Sequence, residues 1–170
     1  MVGKQSEADF RGWVSASRDG LRRTAFLLCG DWFLADDLVQ DALARVFVRW
    51  DRVAAVGDPT AYARRVMLNL YLDHRRRPSR RESPRSEVPD VAVLDVAAVD
   101  GERERLIAAL RVVPPGQRAV LVLRYWDDLS IEQTAHLLGT STGNVKSQAS
   151  RGLDALRAAL AGDAVTEETT

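Results

Sequence analysis

The chain has 170 residues, 46% of them hydrophobic and 28% charged, which allows a buried core and argues against wholesale disorder. Twenty-four basic residues balance 24 acidic ones, so net charge points to no partner and only the placement of charge can. The single cysteine, Cys29, excludes an internal disulfide, and two distant histidines, His74 and His136, do not suggest a metal site.

The opening "MVGKQSEADF" has no apolar run and does not read as a secretory signal. No stretch approaches the roughly 20 apolar residues of a membrane span, so a cytoplasmic protein without a membrane segment is expected. No constellation of residues suits a hydrolase or transferase. No catalytic residue, metal or cofactor is therefore expected. The basic residues are 22 Arg and 2 Lys, a bias that fits either a skewed genome composition or a need for bidentate guanidinium groups.

Apolar residues recur with helical spacing over residues 10–71 and again over 106–160, and no alternating run is long enough for a sheet. The expected fold is all-α: two small helical domains, at residues 6–80 and 104–162, joined by a flexible linker at 81–103 and followed by a disordered tail at 163–170. The linker sequence "RPSRRESPRSEVPDVAVLDVAAVDGERE" contains three prolines and turns from basic to acidic along its length.

The first strong helix is "GDWFLADDLVQDALARVFVRW". Leu38, Val39, Ala42, Leu43, Val46 and Trp50 share one side, with Asp37, Gln40 and Asp41 opposite. Those acids suit either a solvated face or a docking surface for a basic partner. A second helix starts at Asp58, a capping residue, with Pro59 at its first position. Tyr62, Ala63, Val66, Met67 and Leu70 form its apolar side; Arg64, Leu68, Tyr71 and Arg75 form a mixed one. Residues 60–81 hold seven Arg against one acid, which fits either a basic helix end or stacking and phosphate contacts with nucleic acid. Asn69 and Asp73, beside Tyr62 and Val66, are expected to be buried and to hold a loop or an Arg, with base contact second.

In "PPGQRAVLVLRYWDDL", Val120, Leu121 and Leu123 are expected to pack beneath the next motif, and Arg118 and Arg124 to reach phosphates or a protein partner. Ser130 with Gln133 forms a capping box. Ile131, Ala135 and Leu138 give that helix a stripe, and Gly139 ends it. Thr140 and Ser141 offer a cap for a second helix, whose seam is Val145, Ala149, Leu153, Leu156 and Leu160. Helix, short Gly-containing turn, helix is the helix-turn-helix pattern. Opposite the seam lie Gly143, Asn144, Ser147, Ser150 and Arg151, with Lys146 and Gln148 on the shoulders. A major groove about 12 Å wide admits a helix whose leading side chains are this compact. Lys146 suits a phosphate, and Arg151 a phosphate or guanine. The other reading is a plain helical corner with a solvated face.

Three segments in order, "LADDLVQDALARVFVRW", "DPTAYARRVMLNLYLDHRRR" and "VVPPGQRAVLVLRYWDDLSIEQTAHLLGTSTGNVKSQASRGLDALR", resemble sigma factors of the extracytoplasmic-function group, small subunits of bacterial RNA polymerase with two domains called region 2 and region 4. The resemblance implies that Asp37, Gln40 and Asp41 dock on the clamp helices of core RNA polymerase. It implies minus-ten promoter contacts by Arg64, Leu68, Asn69, Tyr71, Arg75 and Arg76, helped by the loop "DRVAAVGDP". It implies minus-thirty-five contacts by Gly143, Asn144, Lys146, Ser147, Ser150 and Arg151, with region 4 also touching the polymerase flap. The linker would pass through the active-site cleft, and an anti-sigma protein is a candidate partner. Asn144 and Gln148 stand where many relatives have Thr and Arg, so the promoter sequence is left open. A stand-alone helix-turn-helix regulator, which leaves the acidic and the Arg-rich helix unexplained, and a helical adaptor that binds only protein are the alternatives.

Overall fold

The computed structural model describes residues 4–76 and 100–167, with side chains described over 4–76 and 101–162. Most of the expected linker lies outside these residues. The described backbone forms α1 (Lys4–Cys29), α2 (Trp32–Val48), α3 (Trp50–Val56), α4 (Pro59–Arg76), α5 (Asp100–Val112), α6 (Pro115–Leu121), a π-helical turn (Val122–Trp126), α7 (Ile131–Leu138) and α8 (Thr142–Glu167). Two boundaries differ from expectation. The last linker residues, from 100 onward, already belong to α5, and the start of the expected tail continues α8 to Glu167, a continuation that alanine-rich sequence favours.

In the N-terminal half, α1, α2 and α4 pack on one another. Leu21, Ala25 and Leu28 give α1 a buried stripe against Leu38, Val39, Ala42 and Val46 of α2 and Ala63, Val66 and Met67 of α4. Phe10, Trp13, Phe47 and Trp50 close the far end; Phe10 meets Trp50 edge-on at 5.2 Å, and the Trp13 indole N–H donates to Thr60 Oγ1 at 3.0 Å. Asp31 caps α2 by accepting from the Phe33 and Leu34 amides at 2.8 and 3.3 Å. Asp58 caps α4, its Oδ1 accepting from the Ala61 amide at 2.8 Å. The segment expected as a loop, "DRVAAVGDP", is mostly the helix α3: buried Trp50 and Val53 pin one side of it, and it stops at Gly57.

In the C-terminal half, α6 and α8 cross closely at Gly152, where a β-carbon would stand 3.1 Å from Leu121 Cγ. The capping box of α7 is present, with Ser130 Oγ accepting from the Gln133 amide at 3.0 Å and Gln133 Oε1 accepting from the Ser130 amide at 2.8 Å. Gly139 ends α7 in the left-handed region at φ 64°, and Ser141 Oγ accepts from the Asn144 amide at 3.1 Å to begin α8.

The two halves also pack against each other. Ala119, Val122, Leu123 and Leu137 belong to the same buried cluster as Leu28, Leu68 and Tyr71, and α4 packs against α6 and α7. At one edge of this seam, Gly30 joins α1 to α2 at φ 70°, and the Arg111 guanidinium donates to its carbonyl. A β-carbon on Gly30 would overlap Arg111, whereas one on Gly139 would meet nothing within 4 Å. Both Ala substitutions force a left-handed alanine, at about 1–2 kcal/mol. Gly30→Ala should therefore destabilise the protein by about 1 kcal/mol more than Gly139→Ala, because it also disturbs a hydrogen bond; urea denaturation of the two variants measures the difference.

Candidate nucleic-acid interface

On α8 the side chains divide by burial as their spacing requires. Val145 is fully buried and Gly152 nearly so; Ala149, Leu153 and Leu156 are half-buried against α5 and α6. Gly143, Asn144, Lys146, Ser147, Ser150 and Arg151 are all exposed and fall within about 160° of arc at 100° per residue. Asn144 Nδ2 donates to Thr140 Oγ1 at 2.9 Å, which steadies the start of the helix. None of these residues except Asn144 has a side chain engaged elsewhere among the described residues. The exposed arc is therefore free to meet a groove.

The mixed face of α4 is divided differently. Asn69, Arg75 and Arg76 are exposed. Leu68 is 1% exposed and Tyr71 is fully buried, so in this closed form neither presents a surface to DNA. They lie on the face that packs against the C-terminal half, and they stay covered while the two halves are packed together. The expectation for Asn69 and Asp73 also fails: both are exposed, and Asp73 stands 3.9 Å from Arg76 of its own helix. They sit at the edge of the apolar stripe, where the covering helices do not reach. Near the start of α4, Arg49, Arg52, Val53, Val56, Asp58 and Tyr62 line a depression of about 370 Å³, with Arg49 Nη1 donating to the Tyr62 hydroxyl at 2.5 Å. Sequence spacing did not single out Arg49 or Arg52, because their convergence on Tyr62 depends on the turn at Gly57.

Arg118 also departs from expectation. It is 3% exposed and reaches neither solvent nor an outside partner. Its guanidinium donates to the carbonyls of Leu28 at 2.6 Å, Arg111 at 2.7 Å and Val113 at 2.9 Å, and to the Tyr71 hydroxyl at 3.4 Å. Burial pushes its pKa down, with Tyr71 opposing. The signal was present: Arg118 shares an i, i+3, i+4 stripe with Leu121 and Val122. Arg124 turns inward too and donates to the Leu129 carbonyl.

Just past the π-helical turn, Asp127 enters the seam. Its Oδ1 accepts from Thr24 Oγ1 at 2.8 Å, and its Oδ2 lies 3.2 Å from Arg64 Nε. Burial raises its pKa, with Arg64 and Thr24 acting in the opposite direction. On α2, Asp36 is taken up by Arg22 through contacts of 2.5 and 3.1 Å. Asp37, Gln40 and Asp41 are exposed and form no ion pair among the described residues. No group of three or more His, Cys, Asp or Glu side chains suited to a metal ion occurs among the described residues, and no helix there is long and apolar enough to cross a membrane.

The architecture is that of a two-region transcription initiation factor, with a basic helix in one half and a helix-turn-helix in the other. The family described as Sigma-70 region 2 matches residues 13–81, and Sigma-70, region 4, matches residues 103–156. The RNA polymerase sigma-E factor of Streptomyces avermitilis is 40% identical over 152 residues, covering 89% of this chain and 85% of that protein. Its counterpart in Streptomyces coelicolor is 38% identical over 89% of this chain and 86% of that protein. The fold also matches the sigma factor RpoE from Bartonella quintana, solved in complex with the anti-sigma factor NepR, with a TM-score of 0.72 at 24% identity over 89% of this chain and 96% of that one. The chain belongs to the sigma-70 family as an RNA polymerase sigma factor of the extracytoplasmic-function type. A stand-alone helix-turn-helix regulator is not favoured.

Two measurements check the seam. Arg118→Met removes the donor from several buried carbonyls and should cost about 3 kcal/mol or more, with Arg118→Lys recovering only part in urea denaturation. Cys29 has its pKa raised to about 11, chiefly by burial. The folded protein thus holds the thiol proton more tightly than the unfolded chain, whose thiol titrates near 8.5. At pH 8, iodoacetamide should label Cys29 roughly a hundredfold more slowly in the native protein than in urea, and the contrast should shrink as the pH rises toward 11.

Proposed function

We propose that this sigma factor docks on core RNA polymerase through Asp37, Gln40 and Asp41, reads the minus-thirty-five element with α8, and engages the minus-ten element with α4 and the depression beside it. The exposed arc of α8 carries this reading. Six compact or cationic positions face outward, while Val145, Leu153 and Leu156 face the core. Lys146 meets a phosphate; Arg151 meets a phosphate or a guanine edge. On the N-terminal half, Arg64, Asn69, Arg75 and Arg76 supply the minus-ten contacts, with Arg49, Arg52 and Tyr62 around a concavity suited to an extruded base. Leu68 and Tyr71, on the same face, are covered by the seam while the molecule is closed. Region 4 also touches the polymerase flap.

The protein works in the cytoplasm, where the polymerase is, and catalyses no reaction itself. Each reading surface is small, so selectivity depends on tethering both to the polymerase, which raises their effective concentration at the promoter. An anti-sigma protein is its further partner. An apolar groove of about 440 Å³, lined by Phe26, Trp32, Leu106, Ile107, Tyr125 and Trp126 and flanked by Arg23 and Arg103, supports this; its chemistry suits an amphipathic helix with acidic edges.

Charge reversal at Asp37→Arg with Asp41→Arg should abolish capture of core polymerase in a pull-down while leaving the helical circular-dichroism spectrum unchanged. Normal capture removes the docking assignment. In run-off transcription on a genomic fragment pool, Arg151→Ala should lower minus-thirty-five-dependent starts by about tenfold with core binding intact.

A further inference from the structure

We propose that Asp127 is an intramolecular stand-in for a promoter phosphate, which occupies Arg64 in the free protein and must be displaced before α4 can hold DNA. The inference rests on the assignment of Arg64 to the minus-ten surface. Asp127 belongs to the C-terminal half, yet both side-chain contacts of its carboxylate, Thr24 and Arg64, come from the N-terminal half. Its backbone is set for this. The π-helical turn carries the Asp127 amide to the Val122 carbonyl at 3.0 Å, and Asp128 follows at φ 53°, a left-handed conformation rare for a residue other than glycine. Together they aim one carboxylate across the seam. An anionic oxygen pair facing a guanidinium is the same chemistry a phosphate offers, and Arg64 cannot serve both.

The contact is built to yield. The Asp127 side chain is 7% exposed and that of Arg64 24%. Arg64 Nε and Asp127 Oδ2 lie 3.2 Å apart but are not aligned as a hydrogen bond, and neither atom has another hydrogen-bond partner. A buried ion pair with incomplete hydrogen bonding gains little over its desolvation penalty. Its advantage is tethering, which ends once the two halves part. The seam that holds it also covers Leu68 and Tyr71, so the closed molecule loses both charge and access on this side of α4.

The test uses the full-length protein and a fluorescent single-stranded DNA 20-mer of mixed sequence, read by anisotropy at low salt. Asp127→Asn keeps the shape and the Thr24 contact but removes the charge. It should tighten binding by about threefold to tenfold. The same change at the exposed neighbour, Asp128→Asn, removes an equal charge and should give a markedly smaller gain. Arg64→Ala combined with Asp127→Asn should bind no better than Arg64→Ala alone. Equal affinity of Asp127→Asn and the parent, an equal gain from Asp128→Asn, or a gain that persists without Arg64 overturns the proposal. Should Asp127→Asn not fold, Thr24→Val loosens the same carboxylate and should tighten binding about twofold; unchanged affinity overturns it. Holoenzyme carrying Arg64→Ala separates the two ideas: undiminished promoter-dependent run-off removes Arg64 from the minus-ten surface, while the oligonucleotide comparison alone decides whether Asp127 shields it.

Discussion

A buried guanidinium, that of Arg118, is one of the directional ties that hold the two halves of this protein together. Arg118 is buried, and its donors reach a carbonyl at the end of α1, two carbonyls around the end of α5 and the hydroxyl of Tyr71 in α4. A charge so placed is tolerable only when most of its hydrogen-bonding capacity is met. The chain ends it engages must therefore keep their relative positions while the molecule is closed. The apolar contacts around it, Leu28, Leu68 and Tyr71 against Ala119, Val122 and Leu123, are non-directional and would allow sliding. Arg118, together with the Arg111–Gly30 and Asp127–Thr24 contacts, supplies the register that they lack.

Fixing that register decides which surfaces the protein can show. The recognition arc of α8 and the acidic arc of α2 point away from the seam and stay exposed. The mixed face of α4 points into it, so Leu68 and Tyr71 are buried and Arg64 is half-buried beside Asp127. On the docking and promoter assignments proposed above, a closed sigma factor of this geometry approaches polymerase through α2 while part of its promoter surface stays covered. The apolar groove between the end of α1, the π-helical turn, α5 and α8 draws on both halves. It keeps this shape only while they are packed together, so a partner seated there favours the closed form by simple linkage.

Much of the local structure was legible because its causes are local. Asp58 with Pro59, Ser130 with Gln133, and Gly139 each act within a few residues of the boundary they set. The outward arc of α8 and the acidic arc of α2 follow from helical spacing once a helix is granted. The errors share a different cause. Arg118 meets Tyr71 and Leu28, 47 and 90 residues away in sequence, Leu68 joins the same cluster as Leu123 and Leu137, and no periodic pattern states which distant face will cover a mixed one. Asn69 and Asp73 erred the other way, since they border an apolar stripe whose cover stops short of them.

The amino-acid sequence by itself determined an all-helical chain, its caps, the helix-turn-helix, and the sign of charge on each exposed arc, because hydrogen bonding and amphipathic spacing act over one or two turns. Tertiary structure alone decided that the two halves share a core, which carbonyls the Arg118 guanidinium meets, that Asp127 faces inward, and that α3 replaces a loop beside the Arg49 and Tyr62 depression. Those outcomes depend on desolvation and on long-range contacts, whose free energies exist only after distant segments have met.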